Sequence, residues 1–164
     1  QGARDLNLAV SRLAPRLQSE GVQLLAICGP GKLADLEKPC KDSGLPAKLL
    51  EHCRDMGAAY SATDLVLCRG GAATIAELWL RHLPAVVVPY PYHKDRQQER
   101  NARALEPGVL IANELDSEAD KQILDLLSNP LRRRRMANFL KQIGPDDGKA
   151  TAVDLLEEIA FGKA

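Results

Sequence analysis

The sequence predicts an α/β domain in which a parallel sheet is doubly wound with helices, and three observations predict it. Short apolar segments alternate along the chain with stretches of helical periodicity. Each strand candidate is apolar at consecutive positions, as a strand covered on both faces requires. The strands end in turns bearing Gly, Pro or polar residues that lead into the next helix, which is how βα units are punctuated.

Taken in order, Leu6, Val10, Leu13 and Leu17 recur at spacings of four, three and four, so Ala3 to about Ser19 reads as a helix, bent at Pro15. Val22 to Cys28 is an apolar run closed by Gly29-Pro30-Gly31 and reads as a buried strand. Lys32 to Gly44 is weakly patterned. Ala47 to Leu50 is a short strand, Asp55 to Ser61 a short helix, and Asp64 to Cys68 a second buried strand. Ala72, Ile75, Ala76 and Trp79 share one helical face, and Ala85 to Val88 is a β-branched strand stopped by Pro89 and Pro91. A polar stretch from His93 to Asn101 opens another helix, and Val109 to Ala112 is the last strand. Asp116 or Ser117 caps a helix reaching Ser128, Asn129-Pro130 starts another, and Ala152, Leu155, Leu156 and Ile159 form a final amphipathic stripe. Residues 1–164 therefore read as one domain.

Composition narrows the function. The 22 basic and 22 acidic residues cancel, and aromatic residues make up 4% of the chain, so neither a general basic field nor a base-stacking platform is available and nucleic acid is not expected as a partner. No apolar run approaches the roughly 20 residues of a membrane helix, and no signal segment opens the chain, which favours the cytosol. Cys28, Cys40, Cys53 and Cys68 are scattered without metal-ligand spacing, so no metal is expected and the thiols read as small hydrophobes. Gln1-Gly2-Ala3 opens the chain without an initiator Met or a preceding strand, which suggests an excised piece of a longer protein.

In an open parallel sheet, ligands sit beyond the carboxyl ends of the strands. Cys68-Arg69-Gly70-Gly71-Ala72-Ala73-Thr74 follows a strand and opens a helix there. Its glycines permit close backbone approach, the free N–H groups at the helix start point outward and the Thr74 hydroxyl adds a donor, which together make a cradle for a diphosphate. A plain tight turn fits the same residues. Glu77, one turn further, suits a vicinal diol, or else closes a capping box with Thr74. Gln97 and Asn101 lie four apart and present amides to sugar hydroxyls, or else belong to a solvated helix start. The Arg132–Arg135 run spreads around its helix and reads as a solvated helix start, with an anionic-lipid patch as the other reading.

Several strings occur together and in order. Gln1-Gly2-Ala3-Arg4 resembles the end of a GGSQGAR element; Asp55-Met56, Ala58-Ala59-Tyr60 and Ala62-Thr63-Asp64 resemble a DM…Y..AD stretch. Cys68 to Glu77 and His93 to Asn101 resemble CRSGALT…E and HKDRQQ..NA. Over nearly its whole length the chain is similar to the C-terminal, donor-binding half of the MurG family, inverting transferases of glycosyltransferase family 28. That resemblance implies a Rossmann-like half of a GT-B fold, lacking here its first strand and the N-terminal acceptor domain. It implies UDP-N-acetylglucosamine as donor, with Gln1 near the diphosphate, Cys53 at the uracil, Ala72, Ala73 and Thr74 at the diphosphate, Glu77 on the ribose, and Gln97, Gln98 and Asn101 at the sugar. His93 and Arg96 are peripheral. It further implies lipid I as acceptor, bound by the other half at the cytoplasmic face of the bacterial membrane, where the product is lipid II. No cofactor is called for, and no catalytic residue falls in this chain, which alone would bind donor without transferring sugar.

Three departures from the family pattern stand out. Gly70 replaces a Ser, which is expected to loosen the turn; His82 takes a usual Gly position, where an unusual backbone conformation is expected; and the Tyr90-Pro91-Tyr92 loop is one residue longer. Three other readings remain open: the catalytic subunit of a dolichol-pathway N-acetylglucosaminyltransferase, a UDP-N-acetylglucosamine 2-epimerase, and a non-catalytic UDP-sugar-binding module.

Overall fold

The structure, a computed structural model, describes residues 4–92, 95–144 and 148–162. Five parallel strands alternate with helices in the first two thirds: α1 (Arg4–Ser19), β1 (Leu24–Ile27), α2 (Ala34–Ser43), β2 (Ala47–Leu50), α3 (Met56–Ser61), β3 (Val66–Cys68), α4 (Ala72–Arg81), β4 (Ala85–Val87), α5 (Gln97–Arg103) and β5 (Val109–Ile111). Three helices follow, α6 (Ser117–Ser128), α7 (Pro130–Gln142) and α8 (Gly148–Phe161).

The strands form two parallel groups, β1-β2 with Leu24 opposite Ala47, and β3-β4-β5 with Val66 opposite Ala85 and Ala85 opposite Val109. Side chains on a strand alternate between faces, and β4 shows what that does to the core. Val86 and Val88 enter a cluster with Leu13, Leu17, Leu36, Ile123 and Leu126, under α1, α2 and α6. Ala85 and Val87 point the other way, into a cluster with Ile75 and Leu78 of α4, Ala102 of α5 and Leu105 just after it. This is the doubly wound arrangement expected from the apolar runs.

The first cluster spans both strand groups, because α1 lies across them. Asn7, itself buried, donates from Nδ2 to the Cys28 carbonyl at 3.3 Å, just beyond β1. Two residues earlier, Asp5 pairs with Arg69 at 3.0 Å, just beyond β3. The start of α1 thus stands at the carboxyl ends of both groups. At the middle of α1, Arg12 grips Asp120 of α6 at 2.7 and 2.8 Å.

Coverage of the sheet is less complete than the apolar runs suggest. Leu25 and Ile27 on β1 are 37% and 39% exposed, since α1 and α2 both pack on its other face. The weakly patterned Lys32–Gly44 segment holds a helix, α2, whose core contact rests on Leu36 and Cys40 alone, four residues apart. On α4 the buried residues are Ile75 and Leu78, with Ala72 and Ala76 turned outward, so the face lies a step round from the one the sequence suggests. Asp116 caps α6 through the Glu118 and Ala119 N–H groups. In α7, Arg132 pairs with Asp125, and Arg133 donates to the Leu126 and Leu127 carbonyls, so half of the arginine run fastens α7 to the exposed end of α6. The apolar stripe of α8, including Leu155, Leu156 and Ile159, is exposed among the described residues.

His82 ends α4 in the left-handed region, φ 52° and ψ 38°, where its N–H and that of Leu83 reach back to carbonyls of the last turn. The expectation of an unusual conformation at a non-glycine residue is met. A side chain there costs about 1–2 kcal/mol of steric conflict, part of which glycine gives back through the freedom of its unfolded chain. His82→Gly is expected to stabilise the fold by about 0.5–1 kcal/mol, read as an increase in the midpoint of thermal unfolding.

Candidate functional site

The site is assembled at the carboxyl ends of β3 and β4, where three chain segments meet. The first runs from β3 into α4. Gly71 precedes α4 in extended conformation, φ −64° and ψ 142°, and no side chain caps the helix. The Ile75 N–H already bonds to the Gly71 carbonyl at 2.9 Å, which leaves the first-turn N–H groups of Ala72, Ala73 and Thr74 directed out of the helix with its positive dipole end behind them. Ala72 and Ala73 are exposed and Thr74 is half-buried, so the cradle opens to solvent. This arrangement is complementary to a phosphate oxygen.

Glu77 stands on the same helix and is held from outside it. The Tyr60 hydroxyl on α3 donates to Glu77 Oε2 at 2.9 Å. Of the two readings that the sequence leaves open, the capping box does not form, since α4 starts at Ala72 and Thr74 lies inside it, not at its cap. The Tyr60 ring packs against the second core cluster with Val66, Cys68 and Trp79. Burial, and then the Glu77 carboxylate beside it, drives the Tyr60 phenol far above its ordinary range, so it keeps its proton. Burial alone pushes the neighbouring Cys68 thiol up to about 12, which leaves it an inert neutral group.

The second segment joins β2 to α3 and contains Cys53. Asp55 caps α3 by accepting the Ala58 N–H at 2.8 Å, and the half-buried Cys53 thiol donates to the Asp55 carbonyl at 3.3 Å. Cys53, Asp55 and Tyr60 therefore belong to one capped unit that ends on Glu77.

The third segment follows β4. Gly70 is pressed against the start of α5: a Cβ at Gly70 would lie 2.2 Å from the Gln98 carbonyl oxygen. The glycine serves close approach. Asn101 Nδ2 donates to the Gly70 carbonyl at 3.1 Å, which ties α5 to the cradle loop. Gln98 Oε1 accepts the Tyr90 N–H at 2.9 Å. Both amides thus brace the site walls, while Gln97 on the first turn of α5 has an exposed side chain, with its backbone N–H donating to Asp95 at 3.2 Å. Gln1 and His93 lie outside the described residues.

Two residues important to this geometry gain no role from sequence reasoning. Tyr60 is visible in the sequence only as a member of a motif; its partner Glu77 is seventeen positions away and on another helix. Arg69, directly after β3, donates to the Val88 and Pro89 carbonyls at 3.1 and 3.2 Å, pairs with Asp5, and stands 5.8 Å from the Tyr90 ring centre. It is the joint of the strand ends, and it borders a cavity of ≈ 560 Å³ with Tyr90, Tyr92 and Arg96. Arg96 is left-handed at φ 49° and, with Arg103, clamps the buried Glu99 carboxylate at 2.9 and 2.7 Å, the Arg103 bond first among the causes that hold its carboxyl below the usual range. Among the described residues no group of His, Cys, Asp and Glu side chains is arranged to hold a metal ion, and no helix is long and apolar enough to cross a membrane.

Comparison with known proteins agrees with this architecture. The glycosyltransferase family 28 C-terminal domain model matches residues 1–151. The chain is 39% identical over 171 residues to the UDP-N-acetylglucosamine–N-acetylmuramyl-(pentapeptide) pyrophosphoryl-undecaprenol N-acetylglucosamine transferase of Acidothermus cellulolyticus, covering 99% of this chain and 46% of that protein. The same-named protein of Anaeromyxobacter dehalogenans strain 2CP-C is 33% identical over 166 residues, covering 97% and 43%. The crystal structure of Acinetobacter baumannii MurG superposes with a TM-score of 0.81 at 29% identity, over 96% of this chain and 47% of that one. The chain thus spans a little under half the length of these relatives. By the family model, these identities and the shared fold, it belongs to the C-terminal domain family of the family 28 glycosyltransferases.

Proposed function

We propose that this chain is the donor-binding half of an N-acetylglucosaminyltransferase and holds UDP-N-acetylglucosamine beyond the carboxyl ends of β3 and β4. The observation that carries the reading is the uncapped start of α4 lying one turn before a carboxylate already held in place by Tyr60. In this reading the N–H groups of Ala72, Ala73 and Thr74 take the diphosphate, Glu77 takes the ribose diol, and the backbone at Cys53 meets the uracil. Gln97 reads the sugar, on a wall that Gln98 and Asn101 brace, and Gln1 lies near the diphosphate.

The chemistry follows from the charges. Displacement of UDP by an acceptor hydroxyl develops negative charge on the leaving diphosphate, and fixed N–H dipoles at a helix start stabilise that charge without reorganising. A base for the acceptor hydroxyl is the other requirement, and in this reading it belongs with the lipid I acceptor site in a second domain at the cytoplasmic membrane surface, as does formation of lipid II. This chain alone then binds donor and does not transfer sugar. A further parallel strand before α1 fits the same picture, since the start of α1 stands at the carboxyl ends of both β1 and β3, where such a strand would deliver it.

Gln97 gives the direct test of the sugar assignment. Gln97→Ala is expected to weaken UDP-N-acetylglucosamine by about 0.5–1.5 kcal/mol, the worth of an ordinary hydrogen bond, and to leave UDP nearly unchanged in parallel calorimetric titrations. Equal losses for the two ligands would remove Gln97 from the sugar subsite.

A further inference from the structure

A carboxylate at Glu77 that is to take a ribose diol must be held ready for it. A free Glu side chain on a helix samples many rotamers, and a ligand that needs one of them must freeze the rest. Here that selection is already made by Tyr60. Its half-buried ring packs against the core beside Val66 and Cys68, its hydroxyl donates, and the acceptor is one oxygen of Glu77, at 2.9 Å. A carboxylate oxygen has two lone pairs, so Oε2 retains one and Oε1 both, enough for two ligand hydroxyls.

Tyr60 also closes a chain of contacts. It lies on the helix that Asp55 caps, and Asp55 accepts the Cys53 thiol through its carbonyl. The loop assigned to the base and the carboxylate assigned to the ribose are therefore joined through α3, six residues long, with Tyr60 as the side chain that crosses to α4.

We propose that Tyr60 is a positioning residue of the donor site, one that fixes the Glu77 carboxylate for a ribose diol and couples it to the Cys53 loop. This rests on the donor-site reading and adds to it a residue that touches no ligand. Its effect must run through Glu77 and through the two ribose hydroxyls, which separates it from a general contribution to folding.

The experiment is a titration of the full chain with UDP and with 2′,3′-dideoxy-UDP, which has no diol, for the unaltered protein, Tyr60→Phe, Glu77→Ala and the double variant. Phe keeps the ring in the core, and thermal unfolding of each variant establishes that it is folded. Tyr60→Phe is expected to weaken UDP about threefold to tenfold, the effect of freeing one long side chain, and to leave the dideoxy nucleotide unchanged. In the Glu77→Ala background the same substitution is expected to have no further effect. Equal weakening of both nucleotides, or a full Tyr60 effect without Glu77, would overturn the positioning role. If the unaltered protein binds the two nucleotides equally, the assignment of Glu77 to the ribose fails, and the proposal fails with it.

Discussion

Glu77→Ala is expected to weaken UDP binding by about 1–3 kcal/mol, the range for removing a charged hydrogen-bonding group from its partners. Two losses follow from the substitution, and only the first enters that figure. The ribose hydroxyls lose their acceptor, and the Tyr60 hydroxyl, which now donates to Oε2 at 2.9 Å, is left half-buried without it. The second loss falls on the free protein as well, so the variant is expected to unfold about 1 kcal/mol more easily, a cost visible in thermal denaturation without ligand. Glu77→Gln separates the two: the amide oxygen still accepts from Tyr60, so stability is largely restored while the charge offered to the diol is gone. An affinity for UDP that is unchanged in folded Glu77→Ala would take this residue out of the site.

Gly70→Ala is the second large effect, and it acts through the backbone. The added Cβ would stand 2.2 Å from the Gln98 carbonyl oxygen and 2.9 Å from its carbon, distances at which the main chain itself must move. Overpacking of this kind costs about 1–3 kcal/mol of stability. Because Asn101 bonds to the Gly70 carbonyl and Gln97 sits on the same turn as Gln98, the displacement also carries the wall proposed to face the sugar away from the cradle. Donor affinity is expected to fall together with the thermal midpoint. Gly71→Ala is the matched control: its nearest neighbour would be Thr74 Oγ1 at 3.9 Å and its φ is negative, so the fold should hardly change. Similar destabilisation by the two substitutions would contradict the close approach at Gly70.

These two glycines also mark where the sequence is readable and where it is not. A strand, a Gly pair and a helix start are local, so a cradle at the start of α4 is readable from spacing. Which of the two glycines has no room for a side chain depends on α5, almost thirty residues later, and no local pattern contains that. The strands were legible because each is apolar, and β4 meets a core on both faces as its composition requires. Leu25 and Ile27 look just as buried in the sequence, yet whether a helix covers them is decided by where α1 and α2 cross. The α2 helix was hidden for the opposite reason, since two apolar contacts give too weak a period to see.

The site residues divide in the same way. Glu77 and Gln97 present the exposed or open-ended groups that their types suggest. The amides of Gln98 and Asn101 turn inward to Tyr90 and Gly70, a choice fixed by tertiary neighbours. Beyond its place in a motif, Tyr60 carries no local signal of this contact, because an aromatic residue on a short helix reads as core until its hydroxyl is seen to meet a carboxylate.

The central claim is that the chain carries a binding site for UDP-N-acetylglucosamine, and calorimetric titration with that ligand, alongside UDP, UDP-glucose and ADP, tests it most directly. The account predicts saturable binding that is tightest for UDP-N-acetylglucosamine, weaker for UDP and UDP-glucose, and weakest for ADP. Binding that ignores the base and the sugar, or no binding by either this chain or a longer polypeptide that contains it, would contradict the account.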